Sequence, residues 1–269
     1  DRHCRYFLRQ VVPGACLFTE MVTAAALIHG NKDRLLDYDS AESPLVLQLG
    51  GSQPKQLAQA VSLAAPWGFS EINLNVGCPS DRVQSGKFGA CLMAEPDLVA
   101  ACCRAMMDET DVPITVKCRI GIDDMDADSD LDRFVDTVAD AGVSVFYLHA
   151  RKAWLTGLSP KENRKIPPLD YDRVRRLAKR RSDLSVILNG GLETADQAIA
   201  EMHGCNGVMI GRAAYRTPYV LTEMAQQIFG RIPPRRDHVA LAMAEYAETT
   251  TKTGVPLHRI TRHMLGLYA

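Results

Sequence analysis

Short apolar runs alternate with amphipathic helical patterns along most of this chain of 269 residues. Seven runs have the apolar, β-branched composition of strands, and they cover residues 15–21, 45–49, 71–76, 114–119, 145–149, 185–188 and 207–210. Most are apolar almost throughout, as expected for parallel strands that are buried on both faces. The segments between them carry apolar residues at helical spacing, so strand–helix units with right-handed crossovers are predicted.

Two folds are built from such units, an open doubly wound sheet and a closed eight-stranded barrel. The open sheet is disfavoured because no GxGxxG motif follows an early strand. A helical pattern over residues 2–11 comes before the first apolar run, which suggests that one strand precedes it. We therefore predict an α/β fold, a (β/α)8 TIM barrel over residues 1–230, whose first strand lies upstream of residue 1.

The last part of the chain has a different pattern. After about residue 218 the strand-like runs stop, and helices are predicted over residues 220–229 and 237–249. The first of these helices can still belong to the barrel. Residues 231–269 are predicted to begin a C-terminal helical domain that is truncated at residue 269.

Composition excludes several classes of protein. Hydrophobic residues make up 46% of the chain and charged residues 23%, which excludes a disordered or collagen-like chain. No apolar stretch reaches about 18 residues, so we expect no membrane span, and the first residues do not form a signal peptide. The eight cysteines show no CxxC or metal-ligand spacing. They indicate reduced thiols in a cytoplasmic protein without a metal site, and nothing in the sequence requires an oligomer.

The net charge of −1 hides two opposite blocks of charge. Residues 123–140 hold eight Asp and one Arg, a net charge of −7. Residues 151–181 hold eleven Lys or Arg and three acids, a net charge of +8. The basic residues 173–181 fit the solvated face of a helix, which we favour, or a docking surface for a polyanion. The cations of residues 151–165 lie between elements and are better candidates for docking.

In a barrel of this kind the carboxyl ends of the strands converge on the face that carries the chemistry. Polar residues at these ends form a ring made of Gln48, Asn73, Asn75, Cys78, Lys117, Arg119, His149, Arg151, Asn189 and Arg212.

Glycines mark the ends of the last two runs, at Gly190 and Gly191 and at Gly211. Glycine lets backbone amides approach an anion closely, and the N-terminus of a following helix favours negative charge. Arg212 adds a charge-assisted contact. We interpret these turns as a phosphate site, and the alternative is two tight turns that need glycine for their geometry.

Three further residues have more than one possible role. Lys117, inside an apolar run, either snorkels to the barrel mouth or presents a fixed positive charge to a cofactor or substrate oxygen. His149 is either a satisfied structural histidine or a ligand contact. Cys78 follows a strand and lies between Gly and Pro. Three roles are possible for Cys78. It can donate a proton, because ordinary thiols are mostly protonated near neutral pH, it can act as a nucleophile, or it can be an inert packing residue.

Taken together, these motifs resemble those of the tRNA-dihydrouridine synthases. The matching segments are NLNVGCPS at residues 73–80, Lys117, HAR at 149–151, NGG at 189–191 and GR at 211–212, in this order. Two longer segments, QLGGS at 48–52 and HARKAWLTGLSPKENR at 149–164, look like the bacterial A subfamily. The resemblance covers nearly the whole chain.

The resemblance implies a barrel that binds FMN, is reduced by NADPH, and reduces uridines 20 and 20a in the D-loop of tRNA. Hydride would pass from FMN N5 to C6 of the uracil, and Cys78 would give a proton to C5. The residues that the resemblance places around FMN are Gln48, Lys117 and His149, with Asn189, Gly190, Gly191, Gly211 and Arg212 at its phosphate end.

The resemblance also implies contacts with tRNA, and it makes the C-terminal helical domain that begins at residue 231 a tRNA-binding domain. Asn75 would contact the target base or its ribose, and Lys161 and Arg164 would contact the RNA. Arg151 and Lys152 belong to the same basic segment at the rim, where a phosphate backbone would pass. The target uridine has to leave the RNA stack to enter a barrel mouth.

Two other functions are possible. One is a flavin barrel acting on a free pyrimidine, similar to dihydroorotate dehydrogenase, which would not need the basic rim. The other is a non-catalytic tRNA-binding module, which would not need Cys78, Lys117 and His149 together.

Overall fold

A single parallel sheet forms the centre of the molecule. The computed structural model describes residues 1–268, apart from the side chain of Arg82. Seven strands lie side by side in chain order: β1 Leu17–Thr23, β2 Leu45–Gly50, β3 Glu71–Val76, β4 Ile114–Arg119, β5 Val145–His149, β6 Ser185–Asn189 and β7 Gly207–Met209. Every predicted run is a strand. The bounds differ by two residues in β1 and by one residue at the carboxyl ends of β2, β6 and β7.

The sheet is strongly curved. The rings of Phe18 on β1 and Tyr147 on β5 meet edge to face, with centroids 5.0 Å apart. In a flat sheet, four strand spacings would separate these two strands by about 19 Å. The strands therefore curl around a common interior, and the predicted TIM-barrel-like α/β fold is confirmed. Strands β1 and β7 are the two edges of this sheet, and a further strand upstream of residue 1 stays a prediction.

Helices precede, connect and follow the strands. They are α1 Arg2–Val11, α2 Ala24–His29, α3 Lys32–Leu36, α4 Pro54–Ala64, α5 Asp81–Ser85, α6 Pro96–Met107, α7 Ser129–Ala139, α8 Tyr171–Arg180, α9 Ala195–Met202, α10 Arg212–Arg216, α11 Val220–Phe229, α12 Arg236–Thr251 and α13 His258–Thr261. Their buried stripes, such as Leu57 and Val61 on α4, pack against the strands and form the main core.

The helices after residue 230 pack against the first helix of the chain. Phe7 and Val11 of α1 join Val239, Met243 and Ile260 in a second apolar cluster. The helical character of this region is as predicted, whereas a domain boundary between residues 230 and 231 stays a prediction. Within residues 1–268, the structure contains no helix with the length and apolar character needed to span a bilayer.

The acidic and basic blocks of the sequence face each other across α7 and α8. Arg173 is only 2% exposed and pairs with Asp128 and Asp132. Arg180 and Arg181 both pair with Asp136. The favoured interpretation, a solvated helix face, therefore holds for exposed Arg180 and is wrong for buried Arg173. Both arginines, like Arg181, bind carboxylates of the same chain.

Candidate active site

Side chains at the carboxyl ends of the strands meet in one cavity of about 350 Å³. Strand register explains why. Asn75 lies beside Lys117, and Arg119, His149 and Asn189 lie in one row across β4, β5 and β6. The predicted site residues that line this cavity are Gln48, Asn75, Cys78, Lys117, His149, Arg164, Asn189, Gly190, Gly191, Gly211 and Arg212.

A wider groove of about 1060 Å³ lies on the other side of Cys78. It is lined by Arg2 and Arg5 of α1, by residues at the end of β1, and by Arg34 of α3. Cys78 lines both spaces, so this residue lies at their junction. The smaller cavity brings the predicted cofactor residues together, and it is therefore the candidate active site.

Cys78 lies in a tight turn between β3 and α5. The Asn75 Oδ1 atom accepts hydrogen bonds from the backbone amides of Gly77 and Cys78, at 3.1 and 3.0 Å. Gly89 has a φ of +75°, and a Cβ there would lie 2.6 Å from the Cys78 carbonyl, so glycine is required where the chain closes over the turn. The backbone of the turn is thus fixed, while the half-buried thiol lies 3.5 Å from the Ser80 hydroxyl oxygen.

A chain of side-chain hydrogen bonds runs from this turn through the interior of the barrel. Asn75 Nδ2 donates to Gln48 Oε1 at 2.9 Å, and Gln48 Nε2 donates to Asn73 Oδ1 at 3.0 Å. Asn73 Nδ2 then donates to Thr115 Oγ1 at 2.8 Å, and the Thr115 hydroxyl donates to Glu71 Oε1 at 2.5 Å. The chain therefore ends on a carboxylate.

The two ends of this hydrogen-bond chain fix its direction. Backbone amides only donate, and an ionised carboxylate only accepts, so every amide between them has a defined orientation. Glu71 also accepts from the Tyr147 hydroxyl at 3.1 Å. Burial raises the pKa of Glu71, and its hydrogen bonds from Thr115 and Tyr147 oppose that rise. Gln48 and Asn75, both predicted site residues, are consequently held in place before any ligand arrives.

Glu71 is missing from the predicted site residues, although the sequence carries a signal for it. Glu71, Asn73 and Asn75 alternate with the apolar residues Ile72, Leu74 and Val76. In a strand, such alternation puts all three polar side chains on one face. Here that face is the interior of the barrel, where the carboxylate is needed as the terminal acceptor.

Lys117 and His149 give the cavity its electrostatic character. Lys117 Nζ donates to Asn189 Oδ1 at 3.1 Å, and the Asn189 amide is oriented by its bond to the Met209 carbonyl. Burial, together with the charge of Arg119, lowers the pKa of Lys117 to about 8, so it is still mostly protonated at neutral pH. Burial and the surrounding cations lower the pKa of His149 to about 2, so its ring is neutral.

Cations outnumber acids around the cavity. Lys117, Arg119, Arg164 and Arg212 line it, and among the lining residues that the structure describes Glu193 is the one carboxylate. The part of the chain that the structure describes, residues 1–268, contains no group of three or more His, Cys, Asp or Glu suited to hold a metal ion. The cavity therefore suits an anionic ligand.

The glycine turns differ in what they require. Gly190 and Gly191 have φ values of +118° and +68°, and a Cβ on either would lie 2.5 Å from a neighbouring side chain. Their own geometry thus demands glycine, as the alternative interpretation held. Gly211 has no atom within 4 Å of a built Cβ. Its glycine instead leaves free space beside Arg212, which fits close approach of a phosphate to the backbone.

The helix N-termini contribute less to this site than the sequence suggested. Helix α10, which follows Gly211, has only five residues. Helix α9 starts four residues after Gly191, and Thr194 already caps its N-terminus by accepting from the Gln197 amide. Arg212 and the backbone amides of the glycine turns are therefore better candidates for anion donors than the helix N-termini.

We call residues 151–167 the rim loop, and two of its four predicted RNA contacts point inward. The Arg151 side chain is buried and donates to the carbonyls of Lys165 and Pro167. Lys152 donates to the carbonyls of Asp123 and Met125. Both charged groups hold loops together, so we no longer assign them to RNA. By contrast, Lys161 and Arg164 are exposed at the surface.

Comparison with known proteins matches the sequence of this chain to a family. The family model described as "Dihydrouridine synthase (Dus)" matches residues 1–269. A tRNA-dihydrouridine(20/20a) synthase of Xanthomonas axonopodis pv. citri is 53% identical over 268 residues, which cover 100% of this chain and 80% of that protein. Proteins of the same name from Vibrio parahaemolyticus and Escherichia coli are 53% and 52% identical, each over 100% of this chain and over 83% and 82% of their own lengths.

Proposed function

The chain belongs to the dihydrouridine synthase family, and from that premise we propose that it reduces uridine in tRNA to 5,6-dihydrouridine. The targets are positions 20 and 20a of the D-loop, the positions that the names of its relatives carry. One observation carries the proposal. Cys78 lines the same cavity as Lys117, Arg212 and the glycine turns, which supports a proton donor acting beside an anion site.

FMN is the proposed cofactor, with NADPH as its reductant. The donor set fits this group: Arg212 and the amides near Gly190, Gly191 and Gly211 suit a phosphate, and Asn189 lies between them and Lys117. Gln48, Lys117 and neutral His149 would face the ring system. When bound and reduced, FMN supplies a hydride to C6 of the uracil.

Reduction of the C5–C6 bond also needs a proton at C5, and Cys78 is the proposed donor. Its thiol is uncharged before transfer, so it can face an apolar ring without the cost of a desolvated charge. After transfer, the thiolate lies within the field of Lys117 and Arg119, which stabilises it. Asn75, held beside this turn, is the proposed contact to the base or its ribose.

The target uridine has to flip out of the RNA to enter the cavity. Lys161 and Arg164 are the proposed phosphate contacts, because they are exposed on the rim loop next to the cavity. No membrane, metal or second subunit is needed for this reaction. A cytoplasmic location fits a catalytic thiol that has to stay reduced.

The decisive experiment compares Cys78→Ala with a control, Cys16→Ala, which alters an exposed cysteine outside the cavity. Dihydrouridine is measured by mass spectrometry in unmodified tRNA, and bound flavin by its absorbance. We expect Cys78→Ala to keep FMN and to lose at least about a hundredfold in rate. Wild-type turnover by this variant would remove the thiol from the acid role. Equal turnover of free uridine would instead favour an enzyme acting on free pyrimidines.

A further inference from the structure

The two carbonyls that flank Cys78 are both hydrogen-bonded by side chains. On one side, Arg119 Nε donates to the Gly77 carbonyl at 3.1 Å. On the other side, Gln84 Nε2 donates to the Pro79 carbonyl at 2.9 Å. The turn that carries the thiol is thus held at the residue before and at the residue after the cysteine.

The same two side chains also reach the rim loop. Arg119 Nη1 donates to the carbonyls of Lys152 and Asn163, at 3.1 and 3.0 Å. Gln84 Nε2 uses its second hydrogen on the Leu155 carbonyl at 2.9 Å. Each side chain therefore bridges a carbonyl beside Cys78 and a carbonyl of the rim loop.

The rim end of this bridge is itself well fixed. Asn163 is fully buried and donates to the carbonyls of Trp154 and Leu158, at 2.8 and 3.1 Å. It lies in the short helical turn Glu162–Arg164, beside the exposed cation Arg164. The segment that would meet RNA and the segment that presents the thiol are thereby joined through two side chains.

We infer that Gln84 and Arg119 are positioning residues that form a brace between the Cys78 turn and the rim loop, and this rests on the proposed function. Gln84 carries no charge and does not take part in the proton transfer, and for Arg119 this positioning role is additional to the positive charge that it presents to the Cys78 thiolate. The brace sets where the thiol stands relative to the bound RNA, since both ends of the turn are fixed to the loop that carries Lys161 and Arg164.

Arg119 suits its part because it is forked and buried. It is 3% exposed, and burial lowers its pKa to about 10, which still leaves it protonated at neutral pH. Its separate Nε and Nη1 donors reach different loops, a geometry that lysine does not reproduce. Gln84 is neutral and half-buried, so its substitution is the safer test of the brace.

The first test uses Gln84→Met, which keeps the length of the side chain and removes both donors. The matched control is Gln59→Met, on the exposed face of α4. Alkylation of Cys78 by iodoacetamide is followed by peptide mass spectrometry, with exposed Cys16 as the internal reference. We expect Cys78 to react at least about threefold faster in Gln84→Met, with Cys16 unchanged, because the turn opens more often.

The second readout is steady-state kinetics with tRNA. Gln84→Met should lower kcat about tenfold, because the acid is misplaced, and should change the KM for tRNA by less than about twofold. Arg119→Lys should show the same split between kcat and KM. Gln84→Glu places a carboxylate against two carbonyl oxygens, which repel it. The alkylation rate of Cys78 should therefore be higher in Gln84→Glu than in Gln84→Met.

Unchanged alkylation of Cys78 in Gln84→Met would overturn the brace. So would a raised KM at constant kcat, which would make Gln84 an RNA-binding residue. If the wild-type chain forms no dihydrouridine, the proposed function fails, yet the alkylation rates still decide whether the brace exists.

Discussion

Two basic segments, the rim loop and helix α8, look alike in sequence but use their charge in opposite ways. On α8, Arg173 and Arg180 pair with aspartates, as does Arg181, the residue that follows the helix. On the rim loop, Lys161, Arg164 and Lys165 are exposed, and within residues 1–268 no ion pair engages them. The paired arginines stabilise the fold and leave little net field, whereas the unpaired cations can attract a polyanion.

This difference teaches that a block of charge in a sequence does not identify a docking surface by itself. What matters is whether an opposite block folds against it. The acidic residues 123–140 precede α8 by one strand–helix unit, and consecutive units are neighbours in a parallel barrel. The acidic segment also reaches the rim loop, where the Leu155 amide donates to Asp123, but in the described part of the chain Lys161, Arg164 and Lys165 form no ion pair and stay available.

Charge reversal separates the two segments most strongly. Lys161→Glu combined with Arg164→Glu should weaken tRNA binding about a hundredfold, because two phosphate contacts become repulsions. The matched control, Lys179→Glu with Arg176→Glu on α8, should change the affinity by less than about threefold. Fluorescence anisotropy with labelled tRNA at fixed salt measures both. Equal losses in the two double variants would break the comparison.

Stability should show the reverse pattern. Arg173→Met should lower the free energy of unfolding by about 2 kcal/mol, because it leaves Asp132 and the Ala127 carbonyl without their buried partner. Arg164→Met, at the exposed rim, should leave the urea midpoint unchanged within error. Urea unfolding followed by circular dichroism checks this, and a stable Arg173→Met variant would contradict it.

The comparison extends to Lys117, whose partner is the neutral Asn189 amide instead of a carboxylate. With a pKa of about 8, it is protonated below that pH and loses its charge above it. Affinity for FMN should therefore fall about tenfold from pH 7 to pH 9, when one such group becomes about nine-tenths deprotonated. Titration of apoprotein with FMN measures this. Lys117→Met should bind weakly at every pH, and a persisting pH dependence in it would point to another group.

Single substitutions give the smallest effect. Lys161→Ala and Arg164→Ala should each lower the slope of log affinity for tRNA against log salt by roughly one. Lys179→Ala and Arg176→Ala should leave the slope as it is in the wild type. An unchanged slope in the rim variants would remove those residues from the RNA contact.

Much of the fold was predictable because the strands are buried on both faces. All six residues of β2 are buried, and such runs are easily recognised. The predicted bounds of β1 were wrong by two residues. The strand is irregular, because its register shifts between Phe18 and Met21, where the Thr19 hydroxyl accepts a hydrogen bond from the Gln48 backbone amide. Helices α2 and α3, of six and five residues, are too short to show a full apolar stripe.

The cavity was predictable for a different reason. Parallel strands bring their carboxyl ends together, so Lys117, His149 and Asn189 could be grouped before their distances were known. The inward turn of Arg151 and Lys152 could not be predicted, because it depends on which loop carbonyls lie nearby. The roles of Gln84 and Asn163 likewise arise from the path of the rim loop, which no local pattern specifies.

The hydrogen bonds from the Cys78 turn to Glu71 all run in one direction, and this limits how the sequences of related proteins can vary at these positions. Replacing a single member by a group of opposite polarity leaves two donors or two acceptors facing each other inside the barrel. Relatives should therefore keep positions 48, 71, 73, 75 and 115 together, or exchange neighbouring members in compensating pairs. An alignment in which these positions vary independently would show that the interior tolerates mismatched polarity.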